Sequence, residues 1–99
     1  MLAKSGSKRA LEYLIEAKKS AEFINEEYYI LESTLALGDY YYNNKETHSE
    51  ALREYFIAEE IASRISTQEE VLKINKRIED MKLRMTPEDF ATIEKKYAK

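Results

Sequence analysis

The feature that most limits how this chain can fold is an internal repeat. Displacing the sequence by 41 positions lays Ala10 over Ala51, Leu11 over Leu52, Ala17 over Ala58, Ala21 over Ala62 and Ile24 over Ile65. The same displacement lays Ile30 over Val71, Leu31 over Leu72, Leu37 over Ile78 and Asp39 over Asp80. A period of this length holds one pair of helices, and a single pair cannot bury its own apolar face. Neighbouring pairs must therefore stack, and the sequence predicts two kinds of helix in alternation.

Boundary signals divide the chain to match. The cluster Lys4-Ser5-Gly6-Ser7 predicts a turn with Ser7 as N-cap, and hence a first helix near 8–24. Its residues Ala10, Leu11, Leu14, Ile15, Ala17, Ala21 and Ile24 recur at helical spacing and predict one apolar stripe. Asn25-Glu26-Glu27 predicts a turn and an acidic start to a second helix near 26–43. Asn43-Asn44-Lys45-Glu46 reads as a loop, because asparagine closes helices. Thr47 with Glu50 has the form of a capping box and opens a third helix near 48–65. Thr67 with Glu70 repeats that form before a fourth helix near 68–84, whose stripe is Val71, Ile74, Ile78, Met81 and Met85. Thr86-Pro87-Glu88-Asp89 is the strongest boundary, with proline at a first helical position where its missing N–H costs nothing. It starts a short fifth helix near 87–98, with Phe90, Ile93 and Tyr97 inward and Glu94, Lys95 and Lys96 outward.

Composition agrees with an all-α chain of one domain, since 99 residues hold only two glycines and one proline. A net charge of -3 gives no overall reason to expect nucleic acid or an acidic membrane as partner. With no cysteine there is no disulfide framework and no thiolate metal site, and no run approaches the length of a membrane span. The chain reads as cytoplasmic. Enzymatic constellations are missing from the sequence: one histidine, His48, reads as solvated in a helix's first turn, and there is no phosphate loop or metal-ligand spacing. The reading is of a non-enzyme without cofactor or metal.

Gly38 stands inside a strongly helical stretch, where glycine costs about 1 kcal/mol relative to alanine. Close approach of a second helix offsets that cost, and the sequence predicts that Gly38→Leu destabilises the fold. Leu37, Gly38 and Tyr41 on one helix, with Ala51, Tyr55 and Ala58 on the next, resemble a tetratricopeptide repeat of the long-repeat kind. Thr34 stands where that family usually has tryptophan, the turn is about one residue longer than the commonest form, and no proline follows Ala58. The resemblance implies a short right-handed solenoid of about two and a half antiparallel helix pairs, closed by the Pro87 helix. A plain helical bundle is the competing arrangement. In the repeat reading, residues 1–7 end the partner of the first full helix, as though the chain were a piece of a larger bacterial protein.

The resemblance further implies a concave, peptide-binding surface on the first helix of each pair. Carried onto this sequence, that surface includes Glu32, Leu35, Ala36, Asp39, Tyr42 and Asn43, and the displacement of 41 converts them to Lys73, Lys76, Arg77, Asp80, Leu83 and Arg84. Four of the second set are basic, so the groove is expected to have a tyrosine and apolar wall facing a cationic one. It would suit a peptide or protein partner with acidic and aromatic side chains. Leu35 and Asp39 replace the basic and amide residues of the carboxylate-binding members, which argues against capture of a C-terminal carboxylate. The plainer account of Lys73, Lys76, Arg77 and Arg84 is the solvated face of an amphipathic helix. A second class of function is structural: the fourth helix's stripe keeps coiled-coil spacing, enough to pair two copies in a homodimer. A third is a regulatory segment of a bacterial signalling or transcription-regulatory protein.

Overall fold

The computed structural model describes residues 2–65 and 68–97. Five α-helices follow one another without any strand among the described residues: α1 Leu2–Ile24, α2 Glu27–Tyr42, α3 His48–Ile65, α4 Gln68–Arg84 and α5 Pro87–Tyr97. A single 3₁₀ turn, Lys45–Thr47, joins α2 to α3. The all-α expectation holds, and four of the five helices start and stop within a residue of their expected places.

The exception is the first helix. Its backbone is helical from Leu2, so Lys4–Ser7 form no turn and Ser7 is not an N-cap. Serine and glycine weaken a helix without forbidding its backbone angles, and only proline would have broken it. The helix ends where asparagine permits, with Asn25 at φ 58°. There the Asn25 N–H donates to Glu22 O at 3.1 Å and the Glu26 N–H to Ala21 O at 3.3 Å, the paired bonds of a left-handed helix stop.

Two other caps divide. Thr86 Oγ1 accepts the Asp89 N–H at 3.1 Å, so α5 begins as its sequence requires. Thr47 works the other way: its hydroxyl donates to Tyr41 O at 2.6 Å and to Asn44 O at 3.0 Å. The expected capping box of α3 is therefore replaced by a hydroxyl that ties off the end of α2, because the 3₁₀ turn carries Thr47 back beneath it. The matching signature at Thr67 lies outside the described residues.

α3 is the centre of the molecule, packed by α2, α4 and α5, while α1 packs on α2 and reaches α3 through the Lys18–Glu54 ion pair. That explains why α3 is buried round most of its circumference, through Ala51, Leu52, Tyr55, Phe56, Ala58, Ile61 and Ala62. The core continues into Leu31 and Leu37 of α2, Ile74, Ile78 and Met81 of α4, and Phe90 of α5. Phe56 and Phe90 meet edge to face, 6.1 Å between ring centroids. Tyr41, expected in the core, is half-buried at its margin. Along α1 only Ala21 of the expected stripe is fully covered, since the helix has a neighbour on one side alone.

The coiled-coil stripe of α4 is occupied within the chain. Ile74, Ile78 and Met81 are buried, and Val71 and Met85 pack against the same core, so this stripe is not free to pair with a second copy. α5 seats Phe90, Ile93 and Tyr97 inward and leaves Glu94, Lys95 and Lys96 exposed, as expected of a capping helix. No helix is long and apolar enough to cross a membrane.

Candidate interaction groove

Residues 32, 35, 39 and 42 of α2 recur every three or four positions, as do residues 73, 76, 77 and 80 of α4, so each set forms one helical face. α3 lies beneath both helices and sets the two faces on either side of a groove. One part of it, about 350 Å³, is lined by Asp39 and Tyr42 of α2, Tyr55 of α3, and Lys73, Lys76, Arg77 and Asp80 of α4. An adjoining hollow of about 360 Å³ is lined by Tyr28, Leu31, Glu32, Leu35, Ala36 and Asp39 of α2 with Glu70 and Lys73 of α4. Asp39 and Lys73 belong to both.

Two carboxylates at repeat-equivalent positions strap the groove. Asp39 takes a two-pronged ion pair from Arg77, Nε to Oδ1 at 2.9 Å and Nη2 to Oδ2 at 3.0 Å, and Tyr55 Oη donates to Oδ1 at 2.5 Å. Asp80 accepts the Tyr42 hydroxyl from across the groove and Arg84 Nε at 2.9 Å from its own helix. Each guanidinium also lies over a tyrosine: Arg77 Cζ is 6.0 Å from the Tyr55 centroid, and Arg84 Cζ is 5.4 Å from that of Tyr42. Since these pairs are largely open to solvent, they add little to stability, and their contribution is geometric definition.

Ionisation follows the same contacts. Burial first, then the bond to Asp39, pushes the Tyr55 phenol far above its usual value. Donation to Asp80 raises Tyr42, and that bond together with Arg84 holds Asp80 below the usual carboxylate range. Hydrogen bonding to Asp39 raises Arg77.

Most of the expected site residues come together. Glu32, Leu35, Asp39, Tyr42, Lys73, Lys76 and Arg77 all line one groove or the other. Asn43 does not: it is exposed at the C-terminus of α2, where its N–H is taken by Tyr40 O and Tyr41 O. Arg84 also stands outside, over Tyr42 and against a separate hollow with Glu46, His48, Ser49, Met85, Thr86 and Asp89. The wall expected to be cationic carries fewer unpaired charges than its four basic residues suggest. Asp39 and Asp80 neutralise Arg77 and Arg84, leaving Lys73 and Lys76 as the cations of the wall without a carboxylate partner among the described residues.

Sequence reading missed Tyr55, assigned wholly to the core; its ring is buried, but its phenol end reaches the groove. It also missed Glu70 and Tyr28, although Glu70 stands one turn before Lys73 on the same face and could have been found by extending the register. His48, expected in solvent, is half-buried and stacks on Tyr42 at 5.5 Å with its Nε2 3.1 Å from Tyr42 O. Among the described residues no three His, Cys, Asp or Glu side chains are grouped to hold a metal ion. Comparison of the chain with protein-family models, with curated proteins and with solved structures returns no match.

Proposed function

We propose that this chain is a non-enzymatic protein-interaction module, a short tetratricopeptide-like array with α5 as its cap, that binds a peptide or a segment of a partner protein between α2 and α4. One observation carries the reading. Lys73 and Lys76 are exposed and lack carboxylate partners among the described residues, beside a tyrosine-lined cleft whose two arginines are already neutralised. Two unspent ammonium groups beside buried aromatic surface attract a segment carrying carboxylate and apolar side chains. The sequence of packing, α1 on α2, α2 on α3 and α3 on α4, is also what stacked helix pairs require.

The test compares wild type with Lys73→Glu/Lys76→Glu as immobilised bait in native cell extract at two salt concentrations. Arg77 is left intact, because a carboxylate there would face Asp39. A partner lost on charge reversal and weakened by salt supports the reading; a partner held equally by both baits refutes it. Self-association is the second reading, and Phe23, 89 % exposed, with Ile24, Tyr28 and Tyr29 at the α1–α2 corner is the feature that favours it. Sedimentation equilibrium separates the two, because a concentration-independent monomer excludes the dimer.

A further inference from the structure

The groove changes the sign of its charge along its length. At the end nearest the start of α2 and α4 the lining acids are Glu32, exposed, and Glu70, half-buried, with Tyr28 beside them. Toward the other end come Lys73 and then Lys76, also exposed, followed by the neutral Asp39–Arg77 and Asp80–Arg84 pairs. Glu70 and Lys76 are six residues apart on one helix, so about 9 Å separates the two ends along its axis. Beyond Glu32 the α2 wall carries Leu35 and Ala36 before it reaches Asp39.

Resting on the docking role proposed above, we infer that the groove takes an extended, two-signed peptide segment. A basic side chain sits at Glu32 and Glu70, an acidic one sits at Lys73 and Lys76, and an apolar residue lies between them on Leu35. An extended segment of polyproline II form advances about 3.1 Å per residue with three residues per turn, so two charges three positions apart stand on one face about 9 Å from each other. A segment of one sign leaves one end of the groove facing either a like charge or nothing. Charge pattern, not total charge, is therefore what the groove selects.

Three fluorescein-labelled synthetic peptides of equal length and identical apolar centre serve as probes in fluorescence anisotropy at 150 mM salt: Lys/Glu, Glu/Glu and Lys/Lys at the two charged positions. The Lys/Glu probe is expected to bind wild type at least fivefold more tightly than either other. Lys73→Glu/Lys76→Glu should transfer the preference to the Lys/Lys probe, and Glu32→Lys/Glu70→Lys should transfer it to the Glu/Glu probe. Glu32, Lys73 and Lys76 are exposed and Glu70 is half-buried, and circular dichroism checks the fold of each variant; Lys73→Gln/Lys76→Gln, which should remove only the preference for Lys/Glu over Lys/Lys, stands in for a variant that fails. A Glu/Glu probe that binds wild type as well as the Lys/Glu probe overturns the two-signed reading while leaving the docking role intact. A Lys/Lys probe binding most tightly overturns it also. No response from any probe up to 1 mM overturns the inference and counts against the docking role itself.

Discussion

A methyl group added at Gly38 tests the helix crossing on which the whole arrangement depends. A Cβ there would lie 2.8 Å from Tyr55 Cε1, 3.0 Å from Tyr55 Cδ1 and 3.3 Å from Glu54 Cβ. Carbon atoms rest comfortably at about 3.5–4.0 Å, so the ring must retreat by about 0.7 Å. It has little room, because Tyr55 is 1 % exposed and its hydroxyl is fastened to Asp39. Overpacking of this kind costs about 1–3 kcal/mol, against about 1 kcal/mol regained in helix propensity. Gly38→Ala should therefore destabilise by about 1 kcal/mol, a fall of roughly 4–8 °C in Tm for a domain of this size, and Gly38→Leu by more. Urea and thermal unfolding followed by circular dichroism provide the measurement. A second background makes it decisive: with Tyr55→Leu the obstructing ring is gone, and Gly38→Ala should then stabilise by about 1 kcal/mol. The two backgrounds differ by about 2 kcal/mol of coupling. A higher Tm for Gly38→Ala in the wild-type background, or an equal effect in both, would refute the crossing argument.

Other expectations follow from single contacts. Thr34 is fully buried and its hydroxyl has no partner, so Thr34→Val should raise stability by about 1 kcal/mol in urea unfolding; a loss would mean that the hydroxyl is satisfied. Lys18 donates to the buried Glu54 at 2.9 Å and joins α1 to α3, so Lys18→Met, which leaves the carboxylate only Arg53 Nε at 3.9 Å, should cost about 1–3 kcal/mol, and Lys18→Met/Glu54→Gln should recover most of it. Tyr55 has a folded-state pKa raised above the unfolded value near 10.0, so its contribution is complete below pH 10 and drains away as pH rises beyond it. Unfolding free energies from urea titrations between pH 10 and 11 should fall by up to about 1.4 kcal/mol per pH unit from this group, and Tyr55→Phe should flatten that slope. Asp39→Asn, which loosens the Arg77 strap, should lower stability by only about 1 kcal/mol yet weaken binding of the Lys/Glu probe several-fold.

How much of this was legible in the sequence depends on which interaction set each position. Helix limits were, because Asn25, Pro87 and Thr86 act through local backbone chemistry. The turn at Lys4–Ser7 was not, since weak helix formers give way when strong ones flank them. The internal repeat also transferred unevenly. Ala21 with Ala62 and Leu37 with Ile78 are buried alike, whereas Leu31 is 1 % exposed and its counterpart Leu72 60 %. α2 is flanked by α1 and α3, but among the described residues α4 has no counterpart of α1 on its outer side, so the same residue type meets a neighbour in one case and solvent in the other. Placing the groove residues on two facing helices was within reach of periodicity. Which of its cations were already spoken for was not, because the Arg77–Asp39 pair joins residues 38 positions apart and depends on how the helices lie across α3.

The groove's shape also rests on side chains more than on backbone. α1, α2 and α3 pack in succession, yet among the described residues α2 and α4 have no close backbone approach of their own. What joins their faces is a pair of crossings in opposite senses: Arg77 of α4 reaches Asp39 of α2, and Tyr42 of α2 reaches Asp80 of α4. The anchor points lie three residues apart on each helix, about one turn, so the straps resist both spreading and sliding. Tyr55, held against Gly38 below, completes the floor. Each strap contributes little to stability, but together they hold the walls before any partner arrives, and an occupant need not spend its own contacts on ordering them. Removing a strap should therefore register more strongly in affinity than in melting temperature, which separates a preformed groove from an incidental furrow between helices.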